Sequence, residues 1–173
     1  MIDASVAGAC SDEAPSYPGV NPCTRFLAEV RSLRHLAVMS EAVEREWYRH
    51  PAAFALRWLV DMDAKGLVYR VSGLPDYDLH ERLAAVAENA GVRRIVAKDA
   101  HLVEAALETD RTVISLDEQV RMHLAAVADR VPKLAAIIWV NPNLADDAAL
   151  VWLKRGAKPE SSRRLRPRSR EGA

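Results

Sequence analysis

The sequence predicts an α/β domain with a short, mostly parallel central sheet, and two observations carry that expectation. Short apolar runs, "HLAVMS", "LVYRV", "TVISL" and "AAIIWV", alternate with longer amphipathic segments, the pattern of strands joined by helical crossovers. At 173 residues, half of them hydrophobic, the chain is long enough to bury one sizeable core. There is no internal repeat.

The elements can be read in order. "MIDASVAGAC" offers only two apolar residues before Asp3, so the first strand is short. Residues 11–22, "SDEAPSYPGVNP", hold three Pro and one Gly and read as a loop. Thr24 is expected to cap a helix whose Phe26, Leu27, Val30 and Leu33 share one face. After the strand in "HLAVMS", Ser40 caps a helix over residues 41–50, and Pro51 suits the first turn of the next, which Gly66 ends. "LVYRV" and the turn "SGLPD" lead to a helix over 77–90 ending at Gly91. "VRRIVAKDAHLVEAAL" feeds one further helix that stops near Thr109. "TVISL" precedes a helix over 118–130, then come Pro132, the strand "AAIIWV", the turn "NPN" and a last helix over 145–154.

Charge separates a body from a tail. Lys plus Arg equals Asp plus Glu at 24 each, yet residues 154–173 hold eight basic and two acidic side chains. The remainder keeps 16 basic and 22 acidic, so a folded body over 1–155 and a basic, disordered tail over 156–173 are expected. "SRRLRPRSR" suits phosphate contacts, and it equally suits a solubilising end. Cys10 and Cys23 show no ligand spacing, which fits a reduced cytoplasmic protein and argues against a zinc site or disulfide framework. No apolar run is long enough to span a bilayer, and no membrane partner is expected.

Four carboxylates sit in apolar company. Asp117 follows "TVISL", and Asp3 follows "MI", at the carboxyl ends of strands, where open parallel sheets bind ligands. Asp117 would serve equally as a helix N-cap. Asp99 heads the stripe Leu102, Val103, Ala106, and it too could be a cap. At about 100° per residue from Ala42, Glu46 falls toward the Val43 and Trp47 face, with Glu44 and Glu41 toward solvent. Buried carboxylates need a proton, a base or a cation. With no Lys or Arg cluster evident in the body, a divalent ion is the economical neutraliser. Oxygen ligands without His or Cys favour Mg2+ or Mn2+, which suit phosphodiester hydrolysis. The five His are scattered and expected at the surface, His101 included, and the four Trp are expected to pack.

Four pieces, in order, resemble the PIN-domain nucleases, a family that includes the VapC-type toxins. "IDASVA" resembles the opening strand with its Asp, and "AVMSEAVEREW" the strand, cap and helix bearing the family's Glu, here Glu46. "KDAHLVEAAL" resembles the helix opened by the third acid, here Asp99, and "VISLDEQV" the Thr/Ser-x-Asp strand ending, here Ser115 and Asp117. The resemblance implies a three-layer α/β/α PIN-like domain and metal-dependent cleavage of RNA. Asp3, Glu46, Asp99 and Asp117 would hold one or two Mg2+ or Mn2+ ions, with Ser115 orienting a ligand or water. Expected partners are RNA, a cognate antitoxin protein and a second copy of the chain. The rivals are a catalytically degraded PIN-like RNA-binding module, which the shortened first strand favours, and an unrelated α/β interaction protein whose acids are helix caps.

Overall fold

The first three residues lie along a strand made far downstream. A computed structural model describes residues 1–49, 52–72, 74–87 and 89–166. Ile114 N donates to Met1 O and Asp3 N to Ile114 O, both at 2.9 Å, so Ile2 forms a parallel bridge with Ile114. The short helix α1 (Ala4–Gly8) leaves directly from Asp3.

The chain then alternates helices with strands of three residues: α2 (Pro22–Ser32), β1 (Ala37–Met39), α3 (Glu41–Trp47), α4 (Ala53–Ala64) and β2 (Val68–Arg70). Next come α5 (Tyr77–Val86), α6 (Ala90–Lys98), α7 (Ala100–Leu107), β3 (Thr112–Ile114), α8 (Glu118–Val127), α9 (Pro132–Ala135), β4 (Ile138–Val140) and α10 (Ala149–Lys154). β1 pairs in parallel with β2, Val38 opposite Tyr69, and β3 in parallel with β4, Val113 opposite Trp139. The fold is α/β with short parallel strand pairs. Among the described residues no backbone ladder joins the two pairs. Residues along a strand alternate their edges, so Ile2 O points away from β3. The Trp47 indole fills that edge, donating from Nε1 to Ile2 O at 3.0 Å.

Several element boundaries differ from those read in the sequence. The second helix starts at Pro22 because Asn21 is its cap, accepting from Cys23 N at 2.7 Å; Thr24 lies inside it, buried. The cap at Ser40 and the stop at Gly66, with φ +66°, are as expected. Pro51 lies outside the described residues, and α4 starts at Ala53. The helix expected over 77–90 stops at Val86, and Gly91 lies in the first turn of α6, where the side chain of Asn89 accepts from Val92 N. The single helix expected before Thr109 is two, broken at Asp99. The last helix is likewise divided, by Ala148 in the left-handed region at φ 38°.

The core is filled by the expected aromatic residues. Trp47, Trp58, Trp139 and Trp152 are all buried, the first two stacked with centroids 5.7 Å apart. Part of the segment expected to form a disordered tail is folded. Leu165 is buried, its N–H donating to Ile137 O at 2.9 Å, and Arg164 bridges Ile138 antiparallel. Arg163 lies 5.4 Å over the Trp152 ring and donates to Asp147 O, while Trp152 Nε1 donates to Lys158 O. An apolar Leu within a basic run supplies the anchor that charge counting overlooks. Residues 167–173 lie outside the described residues. No described helix is long and apolar enough to cross a membrane.

Candidate functional site

Parallel strands carry Asp3 and Ser115 to the same end of the Met1–Asp3 and β3 pair. Asp3 is 8 % exposed. Its Oδ2 accepts from Ser115 Oγ at 2.7 Å and from Ser5 Oγ. The two serines also tie down the following turn, since Ser5 Oγ accepts from Leu116 N and Ser115 Oγ from Asp117 N, each at 3.1 Å. Asp117 caps α8, its Oδ1 accepting from Val120 N at 2.9 Å, so the capping role that the sequence allowed is realised.

Asp99 is different. It joins α6 to α7 with φ −103° and ψ 9°, and its carboxylate makes no cap bond. Burial pushes its carboxyl above the ordinary value, Lys98 and His101 pull it back, and the charges of Asp3 and Asp117 push it further up. Three of the four predicted acids therefore share one electrostatic field, with Ser115 inside it.

Glu46 meets that group through an intermediary. Its Oε2 stands 3.3 Å from Nε2 of His101, two residues beyond Asp99. The expectation that His101 is exposed is corrected: α7 is covered on nearly every side, so the face away from Leu102, Val103 and Ala106 packs toward α3, and the His101 side chain is only 17 % exposed. The expectation that Glu46 alone faces inward is also corrected, because the side chains of Glu44 and Glu46 are 24 % and 26 % exposed. Ala42 proves only half-buried, so the face centres between Val43 and Trp47, and the two glutamates flank it equally. Their partners differ. Glu44 accepts from Arg70 at 3.0 Å, whereas Glu46 faces the imidazole; Glu41 is exposed.

Two contributors escaped the sequence reading. Ser5 had a signal, since Asp3-x-Ser5 mirrors Ser115-x-Asp117 and the two pairs interlock. Buried Glu104, which accepts from Asp76 N at 2.7 Å and meets His80 Nε2 at 2.8 Å, had none. A cavity of about 670 Å3 lies between α8 and residues 161–166, beside Arg121, Arg164 and Arg166, and none of the five predicted site residues lines it.

Among the described residues no three carboxylate, imidazole or thiol groups close on one point. The donor chemistry nevertheless suits a hard divalent ion. The carboxylate of Asp99 has no hydrogen-bond or ion-pair partner among the described residues, it is repelled by two further carboxylates, and His101 Nε2 is a buried nitrogen without a hydrogen-bond partner. No family model, curated protein or solved structure matches the chain.

Proposed function

We propose that the chain is a PIN-type, divalent-metal-dependent endoribonuclease of three-layer α/β/α organisation that acts in the cytoplasm as the toxin of a toxin–antitoxin pair. One observation carries the reading: Asp3, Asp99 and Asp117 share one field at the end of β3, and Asp99 lacks a protein partner there. Asp3, Glu46, Asp99 and Asp117 hold Mg2+ or Mn2+. The ion, when bound, supplies positive charge against the negative charge that develops on the phosphodiester. Ser115 and Ser5 fix the Asp3 carboxylate, and the cap bond fixes Asp117, so the donors are oriented before substrate arrives. The test is cleavage of a single-stranded RNA by the purified chain with Mn2+ or Mg2+. Wild type should cut, EDTA should stop it, and Asp99→Asn should slow it at least about a hundredfold. Cleavage that persists in EDTA would refute the reading.

A second reading is an RNA-binding module of the same fold that does not cut. It is favoured by the occupation of Asp3 Oδ2 by two hydroxyls and of Asp117 Oδ1 by a cap bond. RNA retained by the chain without cleavage in either metal would select it.

A further inference from the structure

One face of α8 is left open, and the C-terminal segment walls it. Met122, Ala125 and Ala126 recur at the helical repeat and line the cavity of about 670 Å3, which Arg164, Leu165 and Arg166 line as well. Met122 is 54 % exposed there, an adaptable apolar surface set in a groove. Arg164 has an extended backbone, φ −69° and ψ 147°, and Leu165 beside it is buried. Side chains of an extended chain alternate, so with Leu165 turned into the core, Arg164 and Arg166 share the outer side, and both are exposed. Two residues of extended chain advance about 6.5 Å, close to the step between successive phosphates of an extended single strand. Neither arginine has a carboxylate partner among the described residues, whereas Arg121 lies 3.2 Å from Asp147 and Arg163 lies 2.8 Å from Glu160. Glu118, which lines the same cavity, directly follows Asp117. Its charge is already engaged, since Oε1 accepts from Asn141 Nδ2 at 3.0 Å and stands 3.5 Å from Arg121.

We propose that this groove binds single-stranded RNA, with successive phosphates on Arg164 and Arg166 and a base against Met122 and the two alanines, and that it leads the strand toward Asp117. The inference rests on the reading that the chain acts on RNA. It adds a substrate surface outside the acidic group. A guanidinium pairs with a phosphate through two parallel N–H bonds, so each arginine suits one phosphate. Two of them at the repeat of a phosphodiester chain favour a strand over a free phosphate or a single nucleotide. An apolar floor accepts the face of any base, so these contacts position the strand and carry little sequence preference. The leucine inside the basic run then has a role beyond fastening the segment. Through the Leu165 N–H on Ile137 O and the Arg164 bridge to Ile138, it holds the two charges at a fixed spacing.

The experiment uses the full chain in EDTA, so that RNA is bound and not cut. An oligouridine carrying thiouridine is irradiated on the wild type, and the cross-linked peptide is read by mass spectrometry. Binding is then followed over a range of salt for wild type, for the double variant Arg164→Gln with Arg166→Gln, and for a control, Arg45→Gln with Arg82→Gln, whose exposed arginines lie on α3 and α5. Cross-links should fall on the peptide holding Met122. The log–log salt slope should flatten by about 1.4 in the groove variant, at about 0.7 per phosphate contact, and stay unchanged in the control. The cross-link needs no variant, so it decides even if the groove variant folds poorly. RNA bound with cross-links elsewhere and an unchanged slope would overturn the groove, and so would binding of polyglutamate in place of RNA. Cleavage with Mn2+ is measured separately. RNA cut without use of the groove leaves the nuclease standing, whereas RNA held in the groove and never cut leaves the groove and removes the nuclease.

Discussion

Ser115 and Asp3, 112 positions apart, are joined by a hydrogen bond of 2.7 Å in which the hydroxyl donates to Oδ2. The same oxygen of Ser115 accepts from the Asp117 amide, so one buried hydroxyl orients two acids at once. A hydroxyl accepts and donates in fixed directions, so this arrangement depends on both carboxylates keeping their places. Ser115→Ala removes the donor to Asp3 and the acceptor for Asp117 N. We expect a loss of about 1–3 kcal/mol in stability, read by urea denaturation, and a fall in Mn2+ affinity.

Asp99 gives a pH dependence of definite sign. Its carboxyl is raised by burial first and by Asp3 and Asp117 besides. The folded chain thus holds this proton more firmly than the unfolded chain, and stability falls as pH rises from the ordinary carboxyl value through the raised one. Above that window the penalty is constant. Without metal, Asp99→Asn should melt above wild type at pH 7, and the difference should shrink as the pH is lowered through the window. Saturating Mn2+ should stabilise wild type far more than the variant. A variant advantage that grows toward acid would contradict the direction of the shift.

The three glutamates of α3 separate by partner. Glu46→Gln should lower Mn2+-dependent RNA cleavage by orders of magnitude, because it removes a charge that an ion needs. Glu44→Gln loses a surface pairing with Arg70, and Glu41→Gln loses less, so each should change stability by under about 0.5 kcal/mol and leave the rate nearly intact. Rates of the three purified variants decide this, and equal loss in Glu44→Gln would undo the distinction by partner.

The C-terminal segment divides at Leu165. Ending the chain at Gly156 removes a buried leucine and leaves Trp152 Nε1 and Ile137 O without partners, which should cost roughly 3 kcal/mol or more. Ending it at Arg166 keeps those contacts while removing Arg168 and Arg170, so the folded chain should bind RNA with a shallower salt dependence. Melting curves and filter binding at several salt concentrations separate the two truncations.

Both thiols should be inert in the folded chain. Burial pushes Cys10 up to about 11 and Cys23 up to about 12. Iodoacetamide at pH 8 should label neither until denaturant is added, as mass spectrometry would record. Rapid labelling of the native chain would mean that the packing around Cys10 and Cys23 opens readily.

The legible parts of the sequence were those in which one residue decides one feature. Ser40 as a cap, Gly66 as a stop and the three-residue strand cores each follow from local chemistry. What stayed hidden depends on how the elements pack. Helix angle turns His101 away from Leu102, Val103 and Ala106, but α7 is covered on nearly every side, and that outer face meets Glu46 of α3. The flanking of Val43 and Trp47 by Glu44 and Glu46 is symmetric in helix angle, so only the third dimension, through Arg70 and His101, tells them apart. Leu165 escaped notice because charge dominates its surroundings, although one apolar side chain is enough to fasten a short segment to a sheet edge.

Trp47 stands where a neighbouring strand would ordinarily lie, with its indole on Ile2 O. The two strand pairs are therefore coupled through side chains, the indole bond among them, and no backbone ladder among the described residues ties them. Packing can yield locally where a ladder must unzip, so the chain should open in two cooperative steps. Amides of β3 and β4 should exchange with solvent only on global unfolding, while those of β1 and β2 exchange through a smaller, cheaper opening. The helix bearing Glu46 follows β1 directly, so that smaller motion would carry one side of the acidic group and leave Asp3 and Ser115 in place.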